Sequence, residues 1–449
     1  MLQTYFATLC GRSARTLLRR VFHRKASQLP GRVALSIDKH FLAHKASLFG
    51  KHTVVVCGTN GKTTTTNLIA SAFDSSFQHV VCNRAGANMP AGIASALLDA
   101  TRGGACVLES DELFSVNIVP AVKPRFFVLL NLFRDQLDRC GEIERVQQTI
   151  VRALEASPST TLVVCGDDPL TVGVAQSAER LNIKVVYFGI NQNLHRAADR
   201  VPEARFCQLC GAKLTYTYRS YAQLGTFSCP NCSFARPQLN CFADDIQIEQ
   251  NSVTFSAHIN QHNQHTAKIS APFGGLYMVY NLLAAYYIAH ETGISDEAFL
   301  QVLASYHPQN GRLQHFMYQG IPLVLNLAKN PTGFNQNISL LQQDHRQKVI
   351  YICINDNFND GKDVSWLWDV DFERFASENK PVLLCGGTRC HDMQVRLKYA
   401  GFSSECVASI DDVLATCLQH YPDKVLYVLT NYSALWPVKA RLEQLCSAQ

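Results

Sequence analysis

Residues 53–67 constrain this chain more than any other stretch. Thr53-Val54-Val55-Val56-Cys57 is a β-branched run, Gly58-Thr59-Asn60-Gly61-Lys62-Thr63-Thr64 follows, and Asn67-Leu68-Ile69-Ala70-Ser71-Ala72-Phe73 has the composition of a helix. A strand that enters a glycine turn and leaves as a helix aims backbone N–H groups and the positive end of the helix at one spot. The glycines let the backbone close on phosphate oxygens, Lys62 adds a point charge, and Thr63 offers a hydroxyl to Mg2+. The usual pattern has a glycine five residues before Gly61, where this chain has Val56. The flanking strand and helix supply the context the motif demands, so Gly58 through Thr64 is read as a nucleotide triphosphate site.

The stretches that follow repeat strand and helix in alternation, which predicts an α/β fold built on parallel sheets. Val80-Val81-Cys82, Ala105-Cys106-Val107-Leu108-Glu109 and Phe126-Phe127-Val128-Leu129-Leu130-Asn131 read as buried strands. The second ends in Glu109-Ser110-Asp111-Glu112. Carboxylates at a strand end beside a phosphate loop are expected Mg2+ partners, Glu109 first and Asp111 or Glu112 second. A first α/β unit ends near residue 157, and Leu162-Val163-Val164-Cys165 begins a second. Another starts after Asn310-Gly311-Arg312. The expected organisation is a basic N-terminal segment over 1–50, an ATP-binding part over 51–157, the remainder of a central domain over 158–310, and a C-terminal α/β domain over 311–449.

The first 37 residues contain no Asp or Glu but include Arg12, Arg15, Arg19, Arg20, Arg24, Lys25 and Arg32. Three readings fit: a transit peptide, a basic amphipathic helix on an anionic membrane, or a first helix packed on the domain behind it. No run reaches the roughly 20 apolar residues that span a bilayer, so a soluble intracellular protein is expected. Net charge is only +5.

Of 17 cysteines, most are scattered through apolar strands, as at Cys57, Cys165, Cys353 and Cys385, and read as buried thiols. Four differ. Cys207-Gln208-Leu209-Cys210 and Cys229-Pro230-Asn231-Cys232 are two C-x2-C knuckles separated by aromatic strand material. Their thiolates can close a tetrahedron on Zn2+ with no position left for water, a structural ribbon at about 205–234. The insert has few Lys or Arg, so no nucleic-acid partner is expected. Cys385-Gly386-Gly387 hints at a nucleophile elbow, but Leu383 stands where that turn wants glycine.

The C-terminal domain carries the loop Asn355-Asp356-Asn357-Phe358-Asn359-Asp360-Gly361-Lys362-Asp363-Val364-Ser365-Trp366. It lacks the ligand spacing and terminal Glu of an EF-hand. Its position after a parallel strand suits a catalytic or interface acid.

The phosphate loop, the acid-tipped strand at Glu109, Asn131 with Asp135-Gln136-Leu137-Asp138, Asn281 ahead of Ala284-Ala285, and Gly311-Arg312 together resemble the Mur ligases. That resemblance implies three α/β domains and ATP-dependent conversion of a carboxylate to an acyl phosphate, which an amine turns into an amide. It further implies that Lys62 and Thr63 hold phosphate and Mg2+, that Glu109 helps bind Mg2+, that Asn281 contacts adenine and that Arg312 lies near the nucleotide. Gln136 stands where those ligases have histidine, and Asn326-Leu327-Ala328-Lys329-Asn330-Pro331 replaces their Asp-Tyr-Ala-His-Asn-Pro. Amino-acid-adding members also lack the four cysteines.

These departures, with Asp360-Gly361-Lys362-Asp363-Val364-Ser365-Trp366, resemble the MurT family over nearly the whole chain. The implied protein is the synthetase subunit of lipid II isoglutaminyl synthase, paired as a heterodimer with a GatD-type glutaminase. Its implied reaction amidates the α-carboxylate of D-glutamate in the lipid II stem peptide, at the inner face of the plasma membrane. Asp363 would lend an acid to the partner's Cys–His pair, with Asp360 and Asp356 as alternatives; the competing role for Asp363 is to cap the following turn. Two other functions compete: a stand-alone Mur-type or folylpolyglutamate-type amino-acid ligase, and a nucleic-acid-binding ribbon protein with an ATP switch.

Overall fold

The computed structural model describes residues 2–446, apart from 23–25, 136–140, 197–198, 200–203, 261–263, 309–310, 359 and 377–379. Arg24, Lys25, Gln136, Leu137, Asp138, Asn310 and Asn359 therefore lie outside the described residues.

Helices α1 (Leu2–Arg20), α2 (Leu29–Ile37) and α3 (Phe41–Ala46) open the chain. Small residues let α1 sit close to its neighbours: Ala7, Thr8 and Gly11 are buried, and a Cβ on Gly11 would meet Leu98 Cδ2 at 2.6 Å. Arg12 donates to the Leu98 carbonyl (3.1 Å) and Arg15 pairs with Asp99 (2.6 Å). The basic leader thus packs one face of α1 on the domain behind it, while Leu2, Tyr5, Phe6, Leu9 and Leu17 stay exposed.

The central sheet holds β1 (Thr53–Cys57), β2 (Val80–Cys82), β3 (Ala105–Glu109), β4 (Phe126–Leu129), β5 (Thr161–Cys165) and β6 (Val185–Ile190). A hairpin of β7 (Thr215–Tyr221) and β8 (Leu224–Ser228) stands outside it, and β9 (Cys241–Ile248), β10 (Val253–Asn260) and β11 (Gln264–Ala271) complete it. Strand order is β11-β10-β9-β6-β5-β4-β1-β3-β2. All ladders from β2 to β9 are parallel, and β9-β10-β11 is antiparallel. Every residue of β1, β3 and β4 is buried; covered on both faces, such strands read as unbroken apolar runs. The crossovers are α4 (Lys62–Asp74), α5 (Pro90–Leu97), α6 (Ser115–Val122), α7 (Ile143–Glu155) and α8 (Pro169–Arg180), while α9 (Leu276–Glu291) and α10 (Asp296–Ser305) follow β11.

The unit boundary expected near residue 157 is absent. β4 and β5 pair in parallel, Phe126 opposite Thr161, and residues from both stretches share one core. Strand, helix and strand read alike in sequence whether the second strand joins the first sheet or founds a new one. Only the ladder decides.

The C-terminal domain contains β12 (Gln314–Tyr318), β13 (Ile321–Leu327), α11 (Pro331–Gln343), β14 (Lys348–Cys353), β15 (Val382–Gly386), α12 (Cys390–Tyr399), β16 (Glu405–Cys406), α13 (Ile410–His420), β17 (Val425–Thr430) and α14 (Tyr432–Cys446). Its strand order is β12-β13-β17-β14-β15-β16, parallel except for the β12/β13 hairpin. Polar pairs tie this domain to the central one: Arg134 to Asp369, Asp135 to Lys329, and Asn60 to Asn330 through both amide groups (3.1 and 3.3 Å).

Candidate active site in the cleft between the two sheets

The phosphate loop leaves β1 in a conformation that only glycine adopts easily. Gly58 has φ +129° and Gly61 φ +89°, and a Cβ on Gly61 would lie 2.2 Å from Asn281 Oδ1. Asn131, just beyond β4, clamps the turn: its carbonyl accepts from Thr59 N (3.0 Å), its Oδ1 from Asn60 N (2.9 Å), and its Nδ2 donates to the Asn60 carbonyl (3.1 Å). Thr59 Oγ1 accepts from Phe133 N at 2.9 Å. The loop is thus held by neighbouring strand ends, ready for a ligand.

At the start of α4, Lys62 Nζ lies 2.7 Å from Glu112 Oε1 and donates to the Gly58 carbonyl at 2.5 Å. Burial opposes the lysine's charge, but the Glu112 and Glu109 carboxylates outweigh it and hold its pKa above the ordinary lysine value. Thr63 Oγ1 donates to Glu109 Oε2 at 2.7 Å, and Asn88 Nδ2 donates to the other oxygen at 2.9 Å. Asn83 fixes the Glu109 backbone through both its amide atoms (2.8 and 2.9 Å). A hydroxyl and a carboxylate oxygen side by side, over a glycine cradle that any Cβ at Gly61 would fill, fit a nucleotide phosphate with its Mg2+.

These groups line a cavity of about 1110 Å3 between the two domains. Gly61, Lys62, Thr63, Thr64, Glu109, Asp111, Asn281 and Arg312 all face it, as do Lys329, Gly361 and Lys362 from the C-terminal domain. Asn281 sits against Gly61, at the phosphate-loop end. Asn330 caps α11, accepting from Gly333 N at 2.8 Å, so the N-terminus of that helix opens on the same cleft. Pro331 at its first position is pre-set for a helix start.

The three loop aspartates have separate surroundings. Asp360 is buried and accepts from Ser433 N (2.8 Å) and from the Ser433 hydroxyl. Asp356 is held by Thr388 Oγ1 (2.7 Å) and Arg389 (3.2 Å). Asp363 is exposed beside Arg134 and Lys329. Its Oδ1 accepts from Ser365 N at 2.8 Å, the turn cap named above as the competing role. That N–H, with a smaller effect from Arg134, lowers its pKa and keeps it ionised. Phe358 in the same loop is almost fully exposed, and the exposed rings of Trp368 and Tyr399 stack edge to face nearby (5.3 Å).

The four ribbon cysteines converge. Sγ atoms of Cys207 and Cys232 are 3.5 Å apart, those of Cys210 and Cys229 3.4 Å, and all four lie within 4.8 Å of one another. Zn–S bonds of about 2.3 Å at tetrahedral angles put thiolates about 3.8 Å apart, so the set fits Zn2+. Leu209 N and Asn231 N donate to Cys207 and Cys229 sulfur at 3.4 Å each, as in zinc knuckles. The β7–β8 turn carries this ribbon's tip into the protein: Gln223 is fully buried, donating to the Leu132 carbonyl (2.8 Å), and Tyr221 lines the cavity.

Sequence reasoning found the loop, the acids and the cysteines but missed what orients them. Asn83, Asn88 and Tyr221 lie in segments whose composition reads as ordinary turn or strand, and no local signal marks their targets. Cys385, by contrast, is as expected: it is buried on β15, and burial pushes its thiol up to about 12, away from the thiolate form a nucleophile needs.

Residues 56–235 match the Mur ligase middle domain and residues 327–435 the MurT ligase C-terminal domain. The chain is 32% identical to the lipid II isoglutaminyl synthase (glutamine-hydrolyzing) subunit MurT of Staphylococcus aureus strain COL, over 95% of this chain and 94% of that one. It is also 32% identical to the subunit of the same name from Streptococcus pneumoniae, over 97% and 96%. Among solved structures, MurF from Acinetobacter baumannii superposes with a TM-score of 0.68 at 16% identity, covering 92% of this chain and 80% of that one. MurF from Thermotoga maritima in complex with ADP gives 0.63 at 13% identity, covering 92% and 84%. With a loop, a cleft and a cysteine ribbon in place on a Mur ligase-like fold, and with relatives matched nearly end to end, the chain belongs to the MurT family, the Mur ligase-like synthetase subunits of an amide-forming ligase.

Proposed function

We propose that the chain amidates the α-carboxylate of D-glutamate in the stem peptide of lipid II, using ATP and ammonia, in peptidoglycan synthesis. The observation that carries this reading is the single cavity shared by the phosphate loop, the Thr63–Glu109 pair and the C-terminal residues Lys329 and Lys362. The carboxylate oxygen attacks the γ-phosphorus of ATP and ADP departs. Ammonia then attacks the acyl carbon of the acyl phosphate, and phosphate leaves with the C–O electron pair. Lys62 and the loop N–H groups offset phosphate charge, Thr63 and Glu109 would hold Mg2+, and the nucleotide would extend from Gly61 past Asn281 towards Arg312. Bound Mg2+ supplies further charge neutralisation; Zn2+ in the ribbon has a structural role, because four thiolates leave no open position.

Ammonia would come from a GatD-type glutaminase. Exposed Asp363, in a stretch of chain that also exposes the rings of Phe358 and Trp368, supports a docking face where this acid orients the partner's imidazole. Asp360 and Asp356, already committed to Ser433, Thr388 and Arg389, suit holding the loop in shape.

Work at the cytoplasmic face of the plasma membrane is supported by α1. No helix among the described residues is long and apolar enough to cross a membrane, yet Leu2, Tyr5, Phe6, Leu9 and Leu17 are exposed on the side of α1 away from Ala7 and Gly11, with Arg19 and Arg20 at its end. An apolar stripe with arginines suits the interface of an anionic bilayer. The deciding experiment incubates the chain and a glutaminase subunit with lipid II, ATP, Mg2+ and glutamine. A loss of about one mass unit at the stem peptide marks conversion of carboxylate to amide; addition of an amino acid by the chain alone would favour the stand-alone ligase.

A further inference from the structure

A second set of metal-ligating side chains lies in the C-terminal domain, outside both the cleft and the ribbon. Cys390 opens α12, His391 follows it, and Cys406 sits on β16, the two-residue edge strand that pairs with β15. One ligand atom from each of the three lies within 4.8 Å of the other two. His391 Nδ1 and Cys406 Sγ are 3.6 Å apart. A Zn–S bond of about 2.3 Å and a Zn–N bond of about 2.05 Å at the tetrahedral angle place sulfur and nitrogen about 3.6 Å apart. Two soft sulfurs and an imidazole select Zn2+ over Mg2+ or Ca2+. His391 is exposed and both thiols are partly so, which gives an ion a way in and leaves a fourth position to solvent.

We propose that Cys390, His391 and Cys406 form a second Zn2+ site, with three protein ligands and one open position. The ion would join the first turn of α12 to an edge strand that has only two ladder residues of its own. It would also act on the acid loop. Thr388 and Arg389, immediately before Cys390, hold Asp356 at 2.7 and 3.2 Å, and Thr388 N donates to Asn355 Oδ1 at 3.0 Å. Fixing the start of α12 therefore fixes the segment from which the loop carrying Asp363 springs. The inference stands on these three side chains and holds whether or not the chain amidates lipid II.

The test compares zinc content of the full chain, purified with its ribbon intact and equilibrated with buffered Zn2+, before and after Cys390→Ser/Cys406→Ser. The expected result is one ion fewer per chain. Equal content overturns the proposal, as does a parent whose mass shows a Cys390–Cys406 disulfide in place of bound zinc. A milder variant guards against misfolding: His391→Ala removes an exposed side chain. Trp366, Trp368 and Trp436 all lie in the C-terminal domain, so unfolding followed by tryptophan fluorescence reports on it. Added Zn2+ should raise the parent's midpoint and leave that of His391→Ala unchanged; equal responses of the two chains refute the site.

Discussion

Replacing Lys62 with Met separates two roles of the phosphate-loop lysine. Its Nζ lies 2.7 Å from Glu112 Oε1, and the two side chains are 9% and 7% exposed. Methionine keeps the length and removes the charge, so Lys62→Met strands the Glu112 carboxylate in the interior. Breaking one side of a buried pair costs about 3–5 kcal/mol. Adding Glu112→Gln removes the stranded charge, and the double variant should recover all but about 1–2 kcal/mol of that loss, the residue being a hydrogen bond or two. Nucleotide binding should follow the opposite course and stay lost in both variants, because the loop's positive charge is gone. Stability is to be read by urea unfolding in far-UV circular dichroism, since tryptophan fluorescence sees only the other domain, and binding by calorimetry with ATP and Mg2+. A Lys62→Met chain within about 1 kcal/mol of the parent, below the range for a broken buried pair, would refute the reasoning. So would a double variant no more stable than the single one.

Four further outcomes follow from the same geometry. Asp363→Asn should lower glutamine-dependent amidation by up to about 10^4-fold, the cost of the same change in a hydrolase triad, while turnover with free ammonia is retained; equal loss of both activities would give Asp363 to the synthetase site instead. Cys207→Ser/Cys229→Ser should lose one zinc and, because Tyr221 and Gln223 ride on the ribbon tip, weaken nucleotide-dependent activity as well. Phe6→Ser/Leu9→Ser should weaken sedimentation with vesicles containing anionic lipid and leave thermal stability unchanged, since both side chains already face solvent. Burial pushes the Asp168 carboxyl up to about 7 against the N–H groups of Leu132 and Leu170. An acid raised on folding adds stability that is complete below its unfolded pKa of about 4 and is lost as pH rises through 7. Asp168→Asn keeps the cap on α8, so parent stability relative to this variant should fall between pH 4 and 8, by at most about 4 kcal/mol at 1.4 kcal/mol per unit.

Much of the fold was legible because parallel strands covered on both faces read as apolar runs, and β1, β3, β4 and β14 do, with no polar residue except Thr53, Glu109 and Lys348 at their ends. Glycines at 58 and 61 were legible because the loop requires positive φ at both. The false boundary at residue 157 marks the limit: hydrophobic runs show that a strand exists, and say nothing of which strand it pairs with.

The same division runs through the site. The sequence by itself determined the phosphate loop, the carboxylates at the end of β3 and the two cysteine knuckles, because each is a short-range pattern whose chemistry depends on spacing along the backbone. Only the tertiary structure decided that Asn60 and Asn330, 270 positions apart, share a pair of hydrogen bonds across the cleft. It alone put Tyr221 from the ribbon tip into the cavity wall and left Asp363 exposed while committing Asp360 and Asp356 to the loop's own support. Those outcomes depend on where separate elements meet, and packing between distant segments leaves no periodic trace in the chain.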